Sequence, residues 1–357
     1  MKILLTGGGT AGHVMPNLAL LPALAARGHK VYYIGDKNGI EKDLAIKAGL
    51  SYYGISTGKL RRYISLKNIA DAFKVIAGIA QAGRIIARLK PNVIFSKGGF
   101  VAVPVVMAGR MAGVPIIVHE SDITIGLANK LCLPHATKFC CVFPETLIHV
   151  PKAKALLTGA PIRADILQGS RISGHKHCGF KKDLPTLMVM GGSLGSAIIN
   201  GSLRAGLLDF LANFNIIHIT GKGNFDNALN MPGYAQFEYV GDNMGDMYAA
   251  ADIVLSRAGS NSLSELLALK KPHVLIPLSK KASRGDQILN AESFKKQGYS
   301  AVLDEEELNT QSLIKIINTT YKDRTKYIAA MKKAKEKGQT DSITSIINLI
   351  EDTAKKK

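Results

Sequence analysis

Where the first apolar run of the chain ends, it meets a cluster of glycines and an imidazole. KILLTGGGTAGH sets Gly7, Gly9 and Gly12 in a G-x-G-x-x-G spacing, with His13 directly behind them. Glycines let backbone approach a diphosphate, and the N-terminus of the helix that follows offers unpaired N–H groups. Asp36 closes the next strand, about where a ribose-binding carboxylate would sit. A nicotinamide or flavin enzyme is therefore one reading, and a tight strand-to-helix turn without ligand is another. His13 falls in the first helical turn. There the helix dipole lowers an imidazole's pKa and keeps it neutral, as a general base requires. A packed, hydrogen-bonded histidine is its plain alternative.

A second set of such residues follows in the other half. GGSLG, Gly191 to Gly195, has the same strand-to-helix setting, and it puts Ser193 at a helix start, as a phosphate contact or a simple N-cap. SRAGSNSLSE then carries Glu265 one or two turns into a helix, the depth at which a carboxylate can take both hydroxyls of a ribose, or serve as an ordinary surface glutamate. After one more strand, SRGDQILNA brings Asp286, Gln287 and Asn290, side chains suited to reading sugar hydroxyls. All of these lie at C-terminal strand ends, where open α/β sheets bind ligands.

The elements that must hold them alternate. KILLTGGG, KVYYIGD, PNVIFSKGG and PIIVHES read as buried strands separated by helices, the βαβ pattern of a parallel sheet. The pattern breaks over 150–185, which is polar and turn-rich. It resumes with TLMVMGGSLG, NIIHITG, DIVLSRAGS and PHVLIPL, so two doubly wound α/β halves are expected. SITSIINLIEDTAKKK is an amphipathic helix with a basic tail. Taken as a helix, 67–88 gathers Ile69, Ala72, Phe73, Val75, Ile76, Ile79 and Ile86 on an apolar arc. Lys67, Lys74, Gln81 and Arg88 lie on the other side, with Arg61 and Arg62 just upstream. An interfacial membrane helix and a helix packed on a sheet both look like this.

The 357 residues suit two domains, and 46 basic against 27 acidic residues leave a charge of +19. Hydrophobic residues at 46% and charged ones at 20% exclude a disordered chain, a collagen-like fibre and a small disulfide scaffold. No apolar run is long enough to span a membrane, and MKILLTGGG reaches glycine too early for a signal peptide. Cys132, Cys140, Cys141 and Cys178 lack zinc or CxxC spacing and are expected to be free thiols in a cytoplasmic protein. A basic chain draws anions. With no Trp, 6% aromatics and no binding module, nucleic acid is not an expected partner. A phosphorylated ligand and an anionic membrane surface account for the charge better.

Read together, GGGTAGH, SKGGF, HESD, GAPIR, GGSLG, RAGSNSLSE and GDQILNA resemble, in order and nearly end to end, the N-acetylglucosaminyltransferases of glycosyltransferase family 28. The resemblance implies a GT-B fold, two Rossmann-like doubly wound parallel-sheet domains facing across a cleft. It implies an acceptor-binding, membrane-associating domain over 1–161, a donor domain over 162–340, and a terminal helix over 341–357 that packs back on the first. The implied reaction moves GlcNAc from UDP-GlcNAc to undecaprenyl-pyrophosphoryl-MurNAc-pentapeptide (lipid I), giving lipid II with inversion, at the cytoplasmic face of the bacterial membrane.

By the same resemblance, Ser193 and neighbouring amides hold the donor diphosphate, with Arg163 near the nucleotide and Glu265 on the ribose diol. Ser260, Asn261 and Ser262 lie beside diphosphate and sugar, and Asp286 and Gln287 bind GlcNAc hydroxyls. Gly9, Thr10, Ala11 and Gly12 face the acceptor diphosphate. His13 is the expected base and Asp122 its rival, since Asp122 stands where the family often has Asn. Leu194 replaces a Gln of some members, and SKKASRGDQ is longer than the usual loop. With no DxD on a loop, neither a metal nor another cofactor is expected. Arg61, Arg62, Lys67, Phe73, Lys74 and Ile76 are the candidate contacts to anionic inner-leaflet phospholipid. Competing readings are a GT-B transferase with another lipid acceptor such as diacylglycerol, an NAD(P)-dependent oxidoreductase, and a non-catalytic nucleotide-sugar binding subunit.

Overall fold

A computed structural model describes residues 1–58, 66–181, 183–192, 194–280, 285–336 and 342–355. The chain forms two compact units, Met1–Arg163 with Asp341–Lys357, and Ala164–Thr340.

The first unit is built on a seven-stranded sheet of β1 (Lys2–Thr6), β2 (Lys30–Asp36), β3 (Ser51–Ile55), β4 (Val93–Ser96), β5 (Ile116–Glu120), β6 (Lys138–Cys141) and β7 (Ala155–Leu157). Their spatial order is β3-β2-β1-β4-β5-β6-β7, every pair parallel. A parallel sheet needs cover on both faces, so its strands are apolar on both sides. In β1, Leu4 packs on one face with Ala82 and Ile86 of the helix Leu66–Leu89. Ile3 and Leu5 point the other way, to Ile346, Ile347 and Ile350 of the helix Ser342–Lys355. That late helix is held further by Glu351, which accepts hydrogen bonds from Arg27 (2.8 Å) and His29 (2.7 Å).

The second unit repeats the order with six strands, β8 (Thr186–Met190), β9 (Asn215–Ile219), β10 (Tyr234–Phe237), β11 (Ile253–Ser256), β12 (His273–Leu275) and β13 (Ala301–Val302), arranged β10-β9-β8-β11-β12-β13. Leu187, Val189, Ile216, Leu255 and Val274 form its core with Ile199, Leu203, Leu313 and Ile317. Each sheet reverses direction beside its first strand, between β1 and β4 and between β8 and β11. A crevice opens at such a switch point. Pairing of Thr6 with Ser96 and of Met190 with Ser256 brings Gly7 beside Lys97 and Gly191 beside Arg257 in the ladders. The glycine turns are therefore at both crevices.

The helix Leu66–Leu89 corrects one sequence expectation. Gln81, assigned to the outer polar side, turns inward, where its Oε1 accepts the Ser56 N–H at 2.7 Å. Arg88 lies 5.3 Å from the Tyr53 ring centre. Phe73 and Ile76, from the apolar arc, are 68% and 63% exposed, with Lys74 exposed beside them. Helical spacing defines an arc but not where the sheet lies; of that arc Ile86 is enclosed, with Ala82 beside it. Arg61, Arg62 and the side chains of Lys67, Ile69 and Ala72 lie outside the described residues. Among the described residues no helix is long and apolar enough to cross a membrane. All four cysteines are free.

Candidate active site

In the first unit, the turn after β1 leads into the helix Ala11–Ala19, capped by Thr10 in an extended conformation. Gly9 and Thr10 are exposed, while Ala11, Gly12 and His13 are half-buried. The turn is pressed from the next crevice wall. A Cβ on Gly99 (φ +80°) would fall 2.3 Å from the Gly8 carbonyl oxygen, and one on Gly9 (φ +84°) would fall 2.9 Å from the Phe100 ring. Both positions need glycine on grounds of space and of backbone conformation.

His13 Nδ1 lies 3.1 Å from the Gly8 carbonyl oxygen and 3.2 Å from Thr10 Oγ1. A carbonyl can only accept, so Nδ1 carries the proton, and the Nε2 lone pair is left to take another. Burial, then the charge of Lys97, hold this imidazole down at about 4, against the pull of Asp122 and the Gly8 carbonyl. The sequence reading credited the helix dipole. The structure gives burial and a buried lysine instead.

Asp122 belongs to the loop after β5. Glu120, buried at the strand's end, organises that loop: its Oε1 accepts the N–H groups of Ser121 (2.8 Å) and Asp122 (3.1 Å). Its Oε2 accepts from Gly126 and Asn129, both at 2.9 Å. Burial is the largest influence on Glu120 and raises its pKa.

Asp36 does not stand ready for a cofactor ribose. Its carboxylate accepts the Thr57 hydroxyl and the Asn38 N–H. The fully buried Glu41 fills the adjoining space. It takes the N–H groups of Asp36 (2.8 Å) and Gly9 (3.2 Å), and its carboxylate lies within 2.7 Å of where a Cβ on Gly8 or Gly39 would be. The dinucleotide reading loses its carboxylate and its room.

In the second unit, three turns converge. The helix after β8 begins at Ala197 with Ser196 as its N-cap, so Ser193 is not at the helix start as the sequence suggested; Ser193 itself lies outside the described residues. Gly192 and Gly195 both have positive φ, which lengthens the turn by those extra residues. Gly259 caps the helix Ser260–Leu269, which carries Ser260, Asn261, Ser262 and, on its second turn, Glu265. Glu265 Oε2 accepts the Tyr248 hydroxyl at 2.9 Å. The helix Asp286–Lys296 starts with Asp286 and Gln287, and Gln287 Oε1 accepts the Leu278 N–H at 3.1 Å.

Two residues lock these turns together. Asn290 donates to the Ala258 carbonyl at 3.1 Å. Arg257 donates to Ser196 Oγ (2.8 Å) and to the carbonyls of Ile276 and Pro277, and it pairs with Glu305 at 2.5 Å. Sequence reasoning passed over Arg257, Glu41, Glu120 and Lys97. The available signal was a charged residue placed directly against a buried strand end, as in LSRAG and FSKGG. Arg163 ends the first of the two segments that make up the first unit and is half-buried.

The comparisons with known proteins follow the same division. A model of the glycosyltransferase family 28 N-terminal domain matches residues 3–140, and one of the family's C-terminal domain matches residues 186–346. The chain is 54% identical over 355 residues to the UDP-N-acetylglucosamine--N-acetylmuramyl-(pentapeptide) pyrophosphoryl-undecaprenol N-acetylglucosamine transferase of Lachnospira eligens, covering 99% of each. A protein of the same name from Clostridium botulinum is 56% identical over 347 residues, 97% of this chain and 98% of that one. Among solved structures, MurG of Acinetobacter baumannii superposes with a TM-score of 0.75 at 24% identity, over 98% of this chain and 99% of that one. The kitacinnamycin glycosyltransferase gives 0.74 at 15% identity, over 99% and 98%. These structural likenesses show the GT-B fold.

Proposed function

The chain belongs to glycosyltransferase family 28, and we propose that it moves N-acetylglucosamine from UDP-GlcNAc to the MurNAc of lipid I, giving lipid II in peptidoglycan synthesis. The observation that carries this is the 54% identity with the Lachnospira eligens transferase over nearly the whole of both chains. Both glycine turns lie inside that span.

The second unit binds the donor. Amides of the Gly191–Gly195 turn, with Ser193, take the diphosphate; Glu265 takes the ribose diol; and Asp286 and Gln287 read the sugar, next to Ser260, Asn261 and Ser262. The Tyr248 hydroxyl on Glu265 supports this assignment, since it fixes the carboxylate while leaving it acceptor capacity. The first unit binds the acceptor, with its diphosphate on Gly9, Thr10, Ala11 and Gly12.

The reaction is a single displacement. The MurNAc hydroxyl oxygen bonds to the anomeric carbon as the bond to UDP breaks, and inversion follows. The hydroxyl proton passes to His13 Nε2, and charge developing on the diphosphate is met by fixed amides and Arg163. Asp122, whose charge favours the imidazolium that forms, is the rival base. No metal takes part in this scheme.

The acceptor's lipid keeps the reaction at the inner face of the cell membrane. Exposed Phe73 and Ile76 beside Lys74 support a peripheral contact with anionic phospholipid, to which Arg61, Arg62 and Lys67 add charge. The test is transfer of labelled sugar from UDP-GlcNAc to a lipid I analogue, with diacylglycerol as the rival acceptor and EDTA in a parallel arm. Labelled lipid II analogue in both arms is expected. Transfer to diacylglycerol alone overturns the acceptor, and complete loss in EDTA restored by one divalent ion overturns the metal-free scheme.

A further inference from the structure

Lys97 is an ammonium with almost no access to water. It follows β4 directly and is 1% exposed. A Cβ on Gly7 would lie 3.1 Å from the Lys97 Cβ, so the side chain starts under the first glycine turn. It ends on the loop after β5, where its Nζ donates to Ser121 Oγ. Among the described residues that is the one hydrogen-bond acceptor for a group with three N–H donors.

Such burial is costly unless surrounding charges offset it. The surrounding titratable groups come from every element packed there. Glu120 and Asp122 lie on the β5 side, His119 within β5, Cys140 on β6, and His13 on the helix after β1. Glu41 reaches Gly9 of the same turn from the helix Ile40–Lys47. The lysine thus joins the two backbone segments that carry the proton-transfer candidates, His13 on one and Asp122 on the other.

We propose that Lys97 is a positioning residue for the transfer reaction: its enclosed ammonium fixes the Ser121–Asp122 loop against the first glycine turn and keeps the His13 imidazole in the neutral form that accepts the acceptor's proton. This rests on His13 being the base. Asp122 draws a proton towards His13, and Lys97 opposes it, second only to burial. Burial also brings Lys97 itself down to about 8, so at neutral pH it remains mostly charged. Without that charge only burial opposes Asp122, so the His13 titration rises from about 4 towards the working pH range and the acid limb rises with it.

The test uses the full chain with Lys97→Met and Lys97→Gln, and Lys97→Arg as the charge-preserving control. Histidine NMR titration reads His13 directly, and kcat/KM against pH reads its consequence. In both neutral variants the His13 titration and the acid limb are expected to move up together, by about one pH unit for a unit charge removed nearby. Lys97→Arg keeps both where the wild type has them, and a cooperative melting transition of the first unit, retained in all three variants, reports intact folding. A lysine that merely filled space would lower turnover without moving either curve. His13 titrating at the wild-type pH in Met and Gln variants alike overturns the proposal. Failure of the base assignment reads differently: His13→Asn would turn over normally, which removes the catalytic role of Lys97 even if the titration shift is present.

Discussion

The two glycine turns share a topology and differ in what surrounds them. Around Gly7–His13 ionisable side chains gather: His13, Lys97 and Glu41 at the turn itself, with Glu120 and Asp122 beyond Lys97, several of them buried. Around Gly191–Gly195 the turn is bounded by the Ser196 cap, and Arg257, which holds Ser196, is already paired with Glu305. One scaffold thus serves two purposes. Where ions are packed tightly, protonation states can be set and a proton moved. Where amides and hydroxyls dominate, a charged ligand can be held without titrating the site.

The largest expected effect tests the first turn. His13→Ala should reduce kcat by about 100-fold or more, the lower range for a lost general base. UDP affinity, measured by calorimetry, should not change. A comparable loss in Asp122→Asn with a mild His13→Ala would transfer the role to Asp122. On pH, His13 at about 4 predicts kcat/KM nearly flat from neutrality down to pH 5, with an acid limb only as the imidazole takes a proton below that.

Stability should separate the units next. Ile350 is fully enclosed against the first sheet, and Ile350→Ala should cost about 2–5 kcal/mol there. In calorimetry the UDP-stabilised transition should keep its midpoint while the other falls. Both falling equally would mean that the units unfold as one.

Glu265→Ala sharpens the second turn's side of the contrast. Losing a charged acceptor should weaken UDP by about 1.5–3 kcal/mol per hydrogen bond, while acceptor KM is unaffected. Unaltered UDP binding would remove the ribose assignment.

The smallest effect per residue concerns the basic residues around Phe73 and Ile76. Replacing Arg61, Arg62, Lys67 and Lys74 by Glu should abolish sedimentation with anionic vesicles, at about 1 kcal/mol per basic residue. Transfer to a soluble short-chain acceptor should survive. Wild-type sedimentation would move the contact elsewhere.

Much of this was legible in the sequence, and for a definite reason. Runs such as KILLT, NVIFS and TLMVM are apolar on both faces because their strands are central and covered twice, and each ends in residues that only a turn tolerates. Strands lacking that cover escaped notice. SYYGI (β3) and YAQF (β10) are edges, and ALL (β7) and AV (β13) are too short for a period to register. KFCC (β6) lies between polar stretches. At the site, residues announced by glycine were found. Lys97, Glu41 and Arg257 were not, since a lone charge beside a strand reads as solvated until the fold encloses it. Gly192 and Gly195, both at positive φ, are non-helical, and the helix starts at Ala197 instead of at Ser193.

The helix Ser342–Lys355 has a consequence for how the protein is made. It completes one face of the first sheet, yet the ribosome produces it only after the whole second unit. Domains usually fold in the order of their synthesis. Here Ile3, Leu5, Val93 and Phe95 emerge early and must wait, incompletely covered on that face, while about 250 further residues are translated after Phe95. The second unit can mature on the nascent chain before the first is finished. During that interval the apolar face is a target for chaperones and for wrong partners, so slow translation late in the message would lower yield by prolonging exposure of residues encoded at its start.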